Sequence, residues 1–158
     1  MRKHTICIIM LVALTAGAAW AQHDFGLGII VGEPTGISGK LWLGKTTAID
    51  GAVAWSFEGE DAFHLHMDYL LHSFDLIHVD KGKLPLYYGI GGRIKFHGDH
   101  GKNDDDNDAR VGLRIPVGLE YIFSGERVDI FLEIVPLLDL VPDTDFSLNG
   151  GIGVRYFF

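Results

Sequence analysis

The chain ends on F-S-L-N-G-G-I-G-V-R-Y-F-F, Phe146 to Phe158. Successive side chains of an extended strand point to opposite faces. Phe146, Leu148, Gly150, Ile152, Val154, Tyr156 and Phe158 therefore share one face, and Ser147, Asn149, Gly151, Gly153, Arg155 and Phe157 share the other. One face is apolar, and the other is small or polar.

The same alternation runs back through the chain, interrupted by Gly, Pro, Asp and Lys clusters, and predicts eight strands. They span Phe25 to Val31, Ile37 to Leu43, Thr47 to Phe57, Phe63 to His72, Leu84 to Phe96, Arg110 to Phe123, Val128 to Val135, and the terminal stretch. Glu33-Pro34-Thr35-Gly36, Gly44 to Thr46 and Ser124 to Arg127 read as turns. Ser73 to Lys83 reads either as a strand extension or as a longer irregular connection. Pro116 and Pro136 fall inside strand patterns and predict a bulge or a local loss of pairing.

Residues 1–21 carry the marks of a secretory signal: Arg2 and Lys3, an apolar run from Ile6 to Leu14, and Ala19-Trp20-Ala21 before Gln22. The domain would then be residues 22–158. Cys7 lies in the signal, so the mature chain offers no thiol chemistry. Removing Arg2 and Lys3 from 13 Lys and Arg leaves 11 against 21 Asp and Glu, a formal charge of −10. With no basic cluster, a nucleic-acid partner is excluded. No later apolar run is long enough for a spanning helix. A membrane protein without spanning helices must be a closed barrel.

Period two does not say which face is inside, but glycine does. Gly89, Gly91, Gly112, Gly118, Gly151 and Gly153 recur on the polar faces between arginines and carboxylates. A narrow lumen has to alternate small with large side chains, whereas a soluble exterior has no use for missing ones. The expectation is an all-β, eight-stranded antiparallel up-and-down transmembrane barrel with a polar, Gly-rich lumen and an apolar, lipid-facing exterior. With both termini periplasmic, Phe25, Tyr88, Tyr121, Phe123, Tyr156 and Phe158 form one aromatic girdle. Trp55, Phe57, Phe63, Phe96 and Phe146 form the other.

Lumen parity falls on Lys40, Asp50, Asp68, Arg93, Lys95, Arg110, Arg114, Glu120, Asp129, Glu133 and Arg155, with the histidines of the fourth strand. Unpaired charges in such a place are costly, so these side chains should form a structural ion-pair network. An eight-stranded barrel is only wide enough to be filled by side chains, which favours a packed polar plug over a conducting pore. His64 and His66 could chelate zinc or copper. A hydrogen-bonded cluster of the histidines with Asp68 is the plainer reading. The run His97 to Ala109 reads as an exposed acidic loop that could meet an external protein or ion, though it lacks EF-hand spacing. Ser38, Ser56, His64 and His66 have lumen parity, and there is no nucleophile elbow or lipid-facing triad, so no catalytic residue and no cofactor is expected.

Gly26 to Phe57, Leu65 to Phe74, Leu84 to Phe96, Arg110 to Phe123 and Asp129 to Phe158 together resemble an uncharacterised family of small bacterial outer-membrane barrels similar to the OmpA transmembrane domain. Gly32 to Gly39, G-E-P-T-G-I-S-G, is the most distinctive stretch. The terminal strand is similar to the signal by which such barrels are recognised for assembly, which gives Phe158, Tyr156 and Val154 that role. The resemblance implies the bacterial outer membrane as location, reached through the periplasm. It implies outer-membrane lipids and the barrel assembly machinery as partners, a monomeric state, and no catalytic residues. A non-enzymatic structural or surface-interaction role is the leading expectation. A narrow porin for small solutes comes second, and a lipid-modifying enzyme third.

Overall fold

The computed structural model describes residues 24–56, 62–97 and 109–158. The strands are β1 (Phe25–Glu33), β2 (Thr35–Trp42), β3 (Thr47–Ser56), β4 (Ala62–Ser73), β5 (Leu86–His97), β6 (Ala109–Arg114), β7 (Val117–Ile122), β8 (Val128–Val141) and β9 (Asp145–Phe157). Each pairs antiparallel with the next around the ring, and β9 returns to β1, with Gly26 opposite Phe157 and Glu33 opposite Gly150. β6 and β7 lie end to end between β5 and β8. They are two halves of one wall strand, so the architecture is an eight-stranded up-and-down barrel closed on itself. The predicted signal, Phe57, the short loop at 58–61 and positions 98–108 of the acidic run lie outside the described residues.

The break between β6 and β7 has a clear chemical cause. Arg114 stands opposite Leu137 and Val117 opposite Ile134, the same offset on both sides, so no residue is inserted and there is no bulge at this point. Pro116 and Pro136 simply lack N–H donors. Ile115 N still donates to Pro136 O at 3.0 Å, and Gly89 N to Pro116 O at 2.9 Å, without reciprocal bonds. A true irregularity occurs elsewhere, between Val111 and Gly112 against β8.

Two other boundaries differ from expectation. The seventh strand does not stop near Val135 but runs to Val141, pairing Pro136 with Leu148 and Asp139 with Asp145. Proline's missing donor costs one rung there, not the strand. Beyond Ser73, the last residue of β4, the stretch to Lys83 is the irregular connection rather than a strand extension, and before β5 begins Lys83 and Ile122 exchange bonds of 2.9 and 2.8 Å as an isolated bridge. At the opposite end, the turn around Pro34 is tighter than expected. Gly32 adopts φ 139°, where a side chain would be strained, and Thr35 Oγ1 both accepts from Gly32 N and donates to Gly32 O.

Burial follows parity. Residues of one set are enclosed, including Ile30, Ala52, Leu70, Tyr87 and Phe131, which form an apolar cluster inside. Residues of the other set face outward: Met67 is 66% exposed and Ile37 57%, while Arg114 and Glu120 are fully buried.

Candidate functional site: the charged interior

At the end of the barrel where β1 begins and β9 ends, β2 and β7 bring Lys40 and Glu120 together. Lys40 Nζ donates to both Glu120 oxygens at 2.6 Å and lies 2.8 Å from His72 Nε2, which is also 3.2 Å from Glu120 Oε2, while His72 Nδ1 faces Thr46 O at 3.3 Å. Arg155, from the terminal strand, is shared three ways. Its Nη2 donates to Glu120 at 3.1 Å, its Nε to Asp129 at 3.2 Å, and its Nη1 lies 3.5 Å from Asp50. The Arg155 guanidinium also sits 4.0 Å above the Phe131 ring, a cation–π contact available because Gly153 beside it has no side chain. Trp42 caps this layer, 4.2 Å from Lys40 Nζ and 4.4 Å from the His72 ring, with Phe74 beyond it.

The next layer is built by β4, β5, β6 and β8. Arg114 Nε donates to both Asp68 oxygens at 2.9 and 3.0 Å, and its Nη2 lies 3.6 Å from Glu133. Tyr87 donates its hydroxyl to Glu133 at 3.0 Å. Further on, Arg93 grips Asp139 with two bonds. His64 and His66 stack edge to face at 5.4 Å, opposite Lys95 and Arg93 on β5.

Nine of the eleven charged residues assigned to the lumen by parity are buried; Lys95 is half-buried. Arg110, given the same parity, is exposed at the strand end. The expected cluster of histidines with Asp68 is not what forms, because Asp68 gives both oxygens to Arg114 and His72 turns to Lys40 and Glu120. His64 Nε2 and His66 Nδ1 find no hydrogen-bond partner. Cationic neighbours make this a poor place for a metal ion, and among the described residues no group of three or more His, Cys, Asp or Glu could hold one. Asp139 lies beyond the strand predicted to end at Val135 and so carries no lumen assignment, although its parity matches Asp129 and Glu133. Tyr87 and Trp42 share the parity of the polar faces, but alternation alone assigns them no partner.

The outward faces carry ring contacts near both ends. Trp55, Phe63 and Phe96 are 6.1 and 6.3 Å apart in succession, and Phe158 lies 5.4 Å from Tyr156 and 6.5 Å from Phe25.

Over residues 18–157 the sequence matches the family described as a protein of unknown function, DUF3996. The chain belongs to this family. No curated protein matches it by sequence. Among solved structures, this chain is similar to the N-terminal β-barrel domain of Pseudomonas aeruginosa OprF. The TM-score is 0.65 at 13% identity, covering 85% of this chain and 95% of that one. It is also similar to Neisserial surface protein A, with a TM-score of 0.56 at 13% identity, covering 85% and 93%. At such identity the likeness concerns the fold, and the fold is the one the sequence predicts.

Proposed function

We propose that this chain is an integral outer-membrane barrel of non-enzymatic type, held together from within by its ion-pair network and serving the envelope structurally or through its loops. One observation carries the reading: the polarity is inverted. Arg114, Arg155, Lys40 and Glu120 are buried, while Ile29, Ile37, Met67, Ile90, Leu132 and Ile152 are more than half exposed. Water would penalise that outer surface, and only hydrocarbon makes it favourable. In this reading the apolar wall contacts lipid and the two aromatic groups lie at its interfaces. Residues 1–21 are removed on export, and Val154, Tyr156 and Phe158 present the strand to the assembly machinery. A monomer suffices, since the sheet has no open edge.

The interior supports a plug rather than a pore. Lys40, Asp50, Asp68, Arg93, Arg114, Glu120, Asp129, Glu133 and Arg155 cross-link the wall strands through the lumen, with Lys95 at its rim. Cell fractionation with a gel assay tests the whole reading. The protein should partition with the outer membrane and migrate faster unheated than heated. Recovery of the mature chain in the detergent-free soluble fraction would overturn it.

A further inference from the structure

Among the described residues, the enclosed ionisable side chains do not balance. Lys40, Arg93, Arg114 and Arg155 are four buried cations, and Asp50, Asp68, Glu120, Asp129, Glu133 and Asp139 are six buried carboxyls. Two carboxyls are in excess. Glu33 and Lys95, both half-buried, are of opposite sign and leave the difference unchanged. The histidines do not supply the missing charge either. His72 Nε2 lies 2.8 Å from Lys40 Nζ and 3.2 Å from Glu120 Oε2; an ammonium can only donate, so with Lys40 charged this nitrogen is the acceptor. His64 and His66 stand opposite Lys95 and Arg93, where an imidazolium is unwelcome.

The hydrogen bonds identify the two odd carboxyls independently. Asp68, Glu120 and Asp139 each receive an N–H donor on both oxygens, and Glu133 receives the Tyr87 hydroxyl on one oxygen and faces Arg114 with the other. Among the described residues, Asp50 Oδ1 and Asp129 Oδ2 are buried carboxyl oxygens that no protein donor reaches.

We infer that the barrel interior binds two protons, one on Asp50 and one on Asp129, and that these two aspartates are neutral acids in the folded protein. Their surroundings fit. Asp50 on β3 is flanked by Lys40 on β2 and Asp68 on β4, and faces Arg155 on β9, with Arg114, Glu120, Glu133 and Tyr87 across the lumen. Asp129 on β8 faces Glu120 on β7 and Arg155 on β9, with Lys40 beyond. Glu120 takes the Lys40 ammonium. The inference rests on the enclosed-lumen reading above.

Infrared spectroscopy of the full-length mature barrel in detergent at neutral pH tests it. The wild type should show the carbonyl stretch of neutral carboxylic acids, shifting on deuteration. The band should be reduced in Asp50→Asn and in Asp129→Asn and lost in the double variant, each of which keeps the neutral shape and should retain heat-modifiable migration. Unfolding should release two protons from the wild type and none from the double variant. A folded barrel without the band, or a band that survives in the folded double variant, overturns the inference. Failure of every variant, wild type included, to give a heat-modifiable band instead points against the barrel reading on which it rests.

Discussion

Arg93 on β5 holds Asp139 on β8 by two hydrogen bonds, Nε to Oδ1 at 3.0 Å and Nη2 to Oδ2 at 2.6 Å, although β6 lies between them. The residue of β6 opposite both is Gly112. Arginine and aspartate meet over its missing side chain.

Breaking this pair from one side should be far worse than removing it. Arg93→Met leaves the Asp139 carboxylate buried without its partner, which costs about 3–5 kcal/mol, whereas replacing both ends by apolar residues is often close to neutral. The urea midpoint for unfolding in lipid vesicles should fall sharply in Arg93→Met and recover in the double variant with Asp139→Leu. Equal loss in both would show that the pair is not enclosed.

Gly112→Val should act on the same pair without touching either charge. A Cβ at this position collides with Asp139 Oδ1, and the Leu138 carbonyl is 3.1 Å away. Because backbone stands behind the carboxylate, the added volume is not easily relieved, and overpacking of this kind costs about 1–3 kcal/mol. The gel-shift temperature of the folded form should drop, with less effect from Gly92→Val, whose Cβ has only one neighbour, at 3.7 Å.

In planar bilayers the folded barrel should be electrically silent. Arg114 is buried and tied to the Asp68 carboxylate, and Arg155 to that of Glu120, so an ion crossing the lumen would have to displace paired charges. Stable conductance that changes in Arg114→Ala would favour the porin reading.

Deleting Phe158 should impair assembly more than any substitution in the acidic run at 98–108. Phe158 N donates to Phe25 O at 3.0 Å and its ring packs on Phe25 and Tyr156, so it completes the seam between the first and last strands. Pulse-chase of the heat-modifiable form measures the difference. Normal insertion of the truncated chain would remove this residue from the assembly step.

The fold was legible because period two needs only the order of residues, and a closed barrel converts parity directly into inside and outside. Lys40, Arg114, Glu120 and Arg155 are therefore placed correctly by counting alone. Which charge meets which was not legible. Lys40 and Glu120 are 80 residues apart and meet across the lumen, and that contact depends on strand tilt and side-chain reach, which alternation does not encode. Asp139 was lost because Pro136 interrupts the pattern before it, although one absent donor leaves the neighbouring rungs intact. The histidines were misjudged for a related reason, since their partners lie on strands whose stagger the sequence does not state.

The return of β9 to β1 also governs how the chain reaches the folded state. A chain lacking its last strand has two raw edges, each a row of N–H and C=O groups that hydrocarbon cannot satisfy. The contact that removes them joins Gly26 to Phe157, nearly the full length of the domain, so the most distant pairing in the chain is the one on which all the others depend. No half-built wall can wait in the membrane for the rest to arrive. Insertion and closure must be one cooperative event.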